Sequence, residues 1–152
     1  NLAKLHPDAL VVGIDKSSHR LDKHDVEYKQ TESGHYILVQ ADLNDFWRLA
    51  LEAGWQPTYH YLLYPNPWPK AKHIGRRWHG APVFPFIVKL GGILEVRSNW
   101  DIYVKEFARA LELAGHSVAV EAYESDSAIT PFERKYWASG QSSTRLKLDL
   151  SR

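Results

Sequence analysis

The segment YPNPWPKAKHIGRR, from Tyr64 to Arg77, places a proline-rich turn directly before a cluster of cationic side chains. It follows the apolar stretch YHYLLY, whose composition is typical of a buried strand. The prolines restrict the backbone and so fix the direction of Asn66 and Trp68 between them. We expect Trp68 to pack against the turn, with stacking on an extruded base as the alternative. A histidine and four cations follow, namely His73, Lys70, Lys72, Arg76 and Arg77. This pattern predicts a rigid turn beside a site for a polyanion.

Two carboxylates, Asp15 and Asp42, come at the ends of two predicted strands. A carboxylate at a strand end can accept both hydroxyls of a ribose. Each residue can also be interpreted as a helix cap or a turn residue, since the sequence ADLND around Asp42 is typical of a capping segment. Because ligands of open α/β sheets lie beyond the carboxyl ends of the strands, the two aspartates together favour a nucleoside site.

The elements that position these residues alternate between strand and helix along the chain. Alternation of this kind predicts a doubly wound α/β sheet with parallel pairing, here with the last two strands antiparallel at one end. The predicted strands are Ala9–Asp15, His35–Asp42, Thr58–Pro65, Ile93–Asn99, Ser117–Tyr123 and Thr144–Leu150. The predicted helices are Ser17–His24, Leu43–Gly54, Val83–Gly92 and Asp101–Gly115.

Composition narrows the class of protein. With 152 residues, 44% apolar and 24% charged, the chain is typical of one globular domain covering residues 1–152. Its net charge of +1 gives no general attraction to nucleic acid, so a polyanion site depends on the local cluster. No apolar run reaches the roughly 18 residues that a membrane span needs. The absence of cysteine excludes disulfides and thiolate-bound metals. We expect a cytoplasmic protein without metal or membrane association, with a monomer favoured and the oligomeric state otherwise open.

The segment after the third strand resembles the signature Pro-Asp-Pro-Trp-x-Lys-x-x-His-x-x-Arg-Arg of the tRNA (guanine-N7-)-methyltransferase family. Three other stretches are similar to motifs of that family, namely GID, SNWDIY and TPFERKYWASGQ. The four stretches occur in family order between Gly13 and Gly140, and the central one is long enough to be specific. The chain is therefore identified as a member of this family.

The resemblance implies the Rossmann-like sheet of S-adenosylmethionine-dependent methyltransferases, with seven strands and an antiparallel last strand. Six strands are predicted here; the strand not found is the first, together with its Gly-rich turn. The chain contains no methionine and begins within a predicted helix. We therefore expect an upstream segment of roughly 50 or more residues, the size of a βα unit with a leader. The strands that begin at Ala9 and end at Tyr64 are expected to flank the missing strand.

The resemblance also implies roles by position. Asp15 would hold the ribose of the cofactor and Asp42 its adenine amino group. Asn66 would occupy the catalytic position beside the cofactor. The implied substrate contacts are Lys70, Asn99, Thr130, Pro131, Phe132 and Glu133. The implied contacts to tRNA are Lys72, His73, Arg76 and Arg77. Glu133 would accept hydrogen bonds from the N1–H and the exocyclic amine of guanine.

Two residues depart from the family pattern, because Asn66 and Asn99 stand where the family has aspartates. Guanine N7 carries a lone pair and no proton, so methyl transfer needs alignment and electrostatic support more than it needs a base. Two amides give less support than two carboxylates. The expected function is methyl transfer to N7 of guanine in tRNA. One alternative is a catalytically silent RNA-binding paralogue. The other is a methyltransferase acting on an amine or amide nitrogen, because the Asn-Pro-Trp turn resembles the Asn-Pro-Pro-aromatic turn of such enzymes.

Overall fold

The computed structural model describes residues 10–15, 27–31, 34–123, 131–140 and 142–150. The predicted helix at residues 17–24 and the predicted site residue Thr130 lie outside these ranges. The chain divides into two compact units, Asn1–Leu49 and Ala50–Arg152.

The described residues form seven strands and four helices. The strands are β1 (Leu10–Asp15), β2 (Glu27–Thr31), β3 (Gly34–Gln40), β4 (Tyr59–Leu63), β5 (Ile93–Ser98), β6 (Val120–Tyr123) and β7 (Ser143–Asp149). The helices are α1 (Leu43–Glu52), α2 (Phe84–Leu90), α3 (Asp101–Leu113) and α4 (Pro131–Ala138). Two short 3-10 segments, Ala71–Arg76 and Trp78–Gly80, lie between β4 and α2. No helix in the described ranges is long and apolar enough to cross a membrane.

The first unit contains a three-stranded sheet in the order β1-β3-β2. Pairing of β1 with β3 is parallel, as predicted. The prediction missed β2, which pairs antiparallel with β3 and aligns Thr31 with Gly34. Its sequence, EYKQT, has one apolar residue in five, so hydrophobic alternation gives no signal there. Pairing with β3 defines this strand instead.

The second unit contains a four-stranded sheet in the order β4-β5-β7-β6. β4 and β5 run parallel, whereas β7 is antiparallel to both β5 and β6. The predicted antiparallel pairing of the last two strands is confirmed. In the described part of the chain, β1 lies at one end of the first sheet and β4 at one end of the second.

The core of the second unit lies between β5, β7 and the apolar face of α3. Its fully buried side chains include Leu94, Val96, Val104, Phe107 and Leu146. Four of these five lie on β5 and α3, two residues apart on the strand and three residues apart on the helix, as the strand and helical periods require. The core therefore holds the carboxyl end of β5 beside the start of α3, and it fixes the loop that carries Asn99.

The helix ends follow the sequence signals. Gly54, predicted to close the helix after β3, follows α1 with φ of 80°. Gly115 follows α3 with φ of 96°, and the His116 amide donates to the Leu111 carbonyl at 2.9 Å. Glycine adopts this left-handed conformation without a Cβ clash, which is why it ends helices in this way.

Candidate active site

In the first unit, the two predicted cofactor residues follow neighbouring parallel strands. Asp15 is the last residue of β1 and aligns with Gln40 at the end of β3. Asp42 comes two residues after β3. Because the strands are parallel, their carboxyl ends lie at the same edge of the sheet. The structure describes the backbone of Asp15 and not its side chain.

Asp42 caps α1 and also presents a carboxylate oxygen. Its Oδ1 accepts hydrogen bonds from the backbone amide of Asn44 at 2.9 Å and from the Asn44 side-chain amide at 3.1 Å. The residue is exposed, and no described residue donates to Oδ2. The capping interpretation is thus confirmed. It leaves one oxygen for a donor such as an adenine amino group, so the residues present are compatible with a nucleoside at this edge.

In the second unit, the turn after β4 is held in an unusual conformation. Tyr64 and Trp68, at either side of the Pro-Asn-Pro stretch, have φ of 52° and 45°. Residues other than glycine rarely adopt such backbone angles, and these angles persist only where surrounding contacts enforce them. Asn66 lies exposed at the centre, and its Oδ1 accepts from the Trp68 amide at 3.3 Å. The turn therefore presents the Asn66 side chain at the carboxyl end of β4.

Arg77 supports this turn from inside the protein. It is only 5% exposed. Its Nε donates to the Trp68 carbonyl at 3.1 Å, and its Nη2 donates to the Pro69 carbonyl at 3.4 Å. Its Nη1 donates to Glu106 Oε1 in α3 at 2.6 Å, and the guanidinium lies 5.0 Å from the centre of the Trp100 ring. The predicted contact of Arg77 with RNA is corrected on this evidence, because its donors bind the turn and α3.

Glu106 also accepts from a histidine. The Nε2 atom of His79 lies 3.1 Å from Glu106 Oε1, and its ring packs edge-on against Tyr103 and Phe107. Burial lowers the pKa of His79, an effect that Glu106 only partly offsets, so the ring is neutral at pH 7. Burial opposes ionisation of Glu106, but hydrogen bonds from His79 and Arg77 outweigh it and keep the pKa of the carboxyl below its usual value. His79 is thus a structural residue.

A second histidine, His60 in β4, is expected to make the folded protein sensitive to acid. Burial lowers the pKa of His60 in β4 to about 4, whereas the unfolded chain has a value near 6.5. A lowered pKa means that protons bind preferentially to the unfolded state. The contribution of neutral His60 to the free energy of unfolding is therefore fully present above pH 6.5 and is lost as the pH falls towards 4. We expect His60→Gln to lose less free energy of unfolding than the parent between pH 7 and pH 5, by about 1 to 2 kcal/mol. Denaturant titrations at the two pH values measure this; equal losses in both proteins would contradict it.

Three exposed cations lie on the 3-10 segment that follows the turn or directly before it. Lys70, Lys72 and Arg76 are exposed, and neither lysine has an acidic partner among the described residues. The Arg76 guanidinium lies 4.8 Å from the centre of the Trp68 ring, and His73 packs edge-on against the same ring at 5.4 Å. Trp68 is therefore held between two residues of this segment, in line with the packing role expected for it. Of the other predicted RNA contacts, Lys72 and Arg76 carry their charge at the surface.

The remaining predicted substrate residues are placed unequally. Asn99 is exposed in the loop between β5 and α3, next to Ser98, whose Oγ accepts from the Trp100 amide at 3.0 Å. Pro131 and Phe132 begin α4, but their side chains lie outside the description. These three remain predictions.

Glu133, the last of the set, is fully buried in a polar cluster that sequence reasoning missed. Its Oε2 accepts from Arg97 Nη1 at 2.7 Å and from the Tyr64 hydroxyl at 2.6 Å. Arg97 Nε donates to Glu95 at 2.5 Å, so the arginine links two carboxylates. The sequence carries one signal for this cluster: Glu95 and Arg97 stand two apart in the otherwise apolar strand ILEVRS. Within the described ranges, no group of three potential ligands is arranged to hold a metal ion.

The chain matches a known protein family. A family model, Methyltransf_4, described as "Putative methyltransferase", matches residues 1–146. Since the match covers nearly the whole length, the chain belongs to this methyltransferase family. Membership indicates S-adenosylmethionine as the methyl donor.

Individual relatives agree with the family assignment. The chain is 24% identical over 148 residues to the tRNA (guanine-N(7)-)-methyltransferase of Leifsonia xyli subsp. xyli (strain CTCB07), a match covering 88% of this chain and 63% of that protein. It is 38% identical over 52 residues to the enzyme of the same name from Rhodococcus jostii (strain RHA1), covering 32% of this chain and 20% of that protein. The resemblance to the tRNA (guanine-N7-)-methyltransferases is thus confirmed. The chain spans about three fifths or less of these relatives' length.

A solved structure supports the fold. "Crystal structure of SMU.776, a putative methyltransferase complexed with SAH" superimposes with a TM-score of 0.53 at 12% identity, over 90% of this chain and 38% of that one. At this identity the likeness concerns the fold alone, and it confirms the Rossmann-like class predicted from the sequence.

Proposed function

We propose that this protein transfers a methyl group from S-adenosylmethionine to N7 of a guanine in tRNA. The observation that carries the proposal is the turn after β4, where an exposed Asn66 at the strand end is followed at once by the exposed cations Lys70, Lys72 and Arg76. Ligands of this class of sheet lie beyond the carboxyl ends of the strands. A reacting nucleotide bound there would have its phosphates within reach of the cations.

The carboxylates of the first unit would bind the cofactor. Asp15 would accept from the ribose hydroxyls, and the Oδ2 atom of Asp42 would accept from the adenine amino group. When bound, S-adenosylmethionine supplies an electrophilic methyl group on a sulfonium centre. The protein contributes by orienting it and the acceptor in line.

The acceptor chemistry places modest demands on the protein. Guanine N7 offers a lone pair and no proton, so the transfer needs no general base, and a positive charge grows on the purine as the new bond forms. An amide at position 66 supports that charge through its carbonyl dipole, more weakly than a carboxylate does. Asn99, exposed beyond β5, would line the base from the next strand.

The direct test is chemical. Purified protein is incubated with labelled S-adenosylmethionine and tRNA, and tRNA from a strain lacking the gene is digested for mass spectrometry of its nucleosides. N7-methylguanosine that forms in the reaction and disappears from the strain supports the proposal. A different methylated nucleoside indicates an amine acceptor, and no transfer despite tRNA binding indicates a silent RNA binder. We place the activity in the cytoplasm, where tRNA is used.

Charge removal from the 3-10 segment tests the RNA contact. The double substitution Lys72→Ala with Arg76→Ala is expected to weaken tRNA binding and to reduce the slope of log affinity against log salt by about 1.4 to 1.8, since each phosphate contact contributes about 0.7 to 0.9. Lys89→Ala, at an exposed lysine of α2, removes one charge elsewhere and serves as the control. Binding is measured by fluorescence anisotropy at several salt concentrations. A slope equal to that of the parent would place the RNA on another surface.

A further inference from the structure

The buried state of Glu133 conflicts with a role in reading the base. The side chain is 0% exposed, and one of its oxygens accepts from both Arg97 and Tyr64. Turning the carboxylate towards a guanine would leave the Arg97 charge and the Tyr64 hydroxyl without these partners in a buried place. Removing one partner of a buried ion pair is strongly destabilising. Glu133 therefore stays with the cluster.

The Arg97 side chain is committed to the same cluster. Besides its bonds to Glu133 and Glu95, its guanidinium lies 4.5 Å from the centre of the Tyr123 ring. It is only 3% exposed. Charge-assisted hydrogen bonds between such buried groups are short and strong, so Arg97 fixes the orientation of Glu133.

Tyr64 connects this cluster to the turn. It is the residue immediately before the Pro-Asn-Pro stretch, with φ of 52°. Its backbone amide donates to the Arg97 carbonyl at 2.8 Å, and its hydroxyl lies 2.6 Å from Glu133 and 2.7 Å from Ser143 Oγ. Burial, with the hydrogen bond to Glu133, raises the pKa of this phenol, so it remains a neutral donor. The side chain and the backbone of Tyr64 are thus both fixed.

We propose that Glu133 is a positioning residue: together with Arg97 it holds Tyr64 in its left-handed conformation and thereby sets the direction in which Asn66 leaves the end of β4. This inference rests on the proposed function in one respect, namely that Asn66 is the residue beside the reacting atoms. It reassigns Glu133 from recognition of the guanine edge to control of the turn. A hydrogen bond made 69 residues away in sequence then decides the geometry at the reaction centre.

Amide hydrogen exchange measures the geometry of the turn without any requirement for activity. Because residues 65, 67 and 69 are prolines, Asn66 and Trp68 carry the amides of this stretch, and the Trp68 amide donates to Asn66 Oδ1. We expect Tyr64→Phe to accelerate exchange at the Trp68 amide by about tenfold, the effect of losing one hydrogen bond. Tyr123→Phe also removes a phenolic oxygen but keeps the ring beside Arg97, and it is expected to leave this exchange unchanged.

Kinetics with tRNA separate positioning from base recognition. We expect Tyr64→Phe and Glu133→Gln to lower kcat with little change in KM. When the acceptor guanosine is replaced by inosine, which lacks the exocyclic amine, we expect kcat/KM to fall by the same factor in the parent and in Glu133→Gln. Unchanged exchange at the Trp68 amide in Tyr64→Phe overturns the proposal, as does a loss of guanosine-inosine discrimination in Glu133→Gln. If the parent methylates no tRNA, the proposed function fails, whereas the exchange result still decides the role of the cluster. Tyr64→Phe removes a single oxygen, so the test does not depend on Glu133→Gln folding.

Discussion

Replacing Arg77 with alanine is expected to lower the free energy of unfolding by about 3 kcal/mol, whereas the same change at Arg76 is expected to cost less than about 1 kcal/mol. The two arginines are adjacent in the sequence but have opposite environments. Arg77 is buried and binds two carbonyls of the turn and Glu106, while Arg76 is exposed and contacts the Trp68 ring. Because the Glu106 side chain is 40% exposed, we take the lower end of the range for a buried pair.

Thermal unfolding measures the difference between the two variants. For a domain of this size, 3 kcal/mol corresponds to a decrease in Tm of roughly 6 to 12 °C. Arg77→Lys keeps the charge but cannot reproduce the fork that binds Glu106 and the carbonyls together, so it is expected to recover little of the loss. In tRNA binding the order reverses: Arg76→Ala reduces the salt slope and Arg77→Ala leaves it close to that of the parent. Equal stability of the two alanine variants would place Arg77 at the surface.

Restoring the family carboxylate at position 66 is expected to raise the rate of N7-methylguanosine formation. Asn66→Asp keeps an oxygen that can accept from the Trp68 amide, so the turn is preserved. The added negative charge stabilises the positive charge that grows on N7. About 1.4 kcal/mol of added stabilisation corresponds to a tenfold increase in rate. Single-turnover assays with labelled S-adenosylmethionine and tRNA measure the change.

Two comparisons define what that result means. Asn66→Ala removes both the amide dipole and the acceptor for the Trp68 amide, so it is expected to lower the rate. Asn99→Asp restores the other family carboxylate and shows whether both departures weaken the same step. A fall in N7 methylation on Asn66→Asp would refute the interpretation of the chain as a weakened N7 enzyme and favour an amine acceptor. If neither protein transfers a methyl group, the chain is a silent binder.

Local sequence patterns were sufficient for most elements and for the location of the turn. The apolar run before Tyr64, the helical period of α3 and the glycines at the helix ends are each readable within about 15 residues. The antiparallel pairing of the last two strands was predicted, whereas the short helix α4 between them was not. β2 escaped prediction because its polar sequence is strand-forming only when paired with β3.

The sequence by itself determined the family, the class of sheet, and a turn followed by cations, because these depend on residue types at short spacing. Only the tertiary structure decided which cation supports the turn and which is exposed. Arg76 and Arg77 belong to the same basic run, and their difference arises from Glu106, 29 residues further along. In the same way, Glu133 belongs to a family motif that is readable in the sequence, but only the structure shows that it is a buried acceptor for Arg97 and Tyr64. A charged side chain is buried only where it has partners of opposite charge. Partners that are distant in sequence become neighbours only when the sheet has formed.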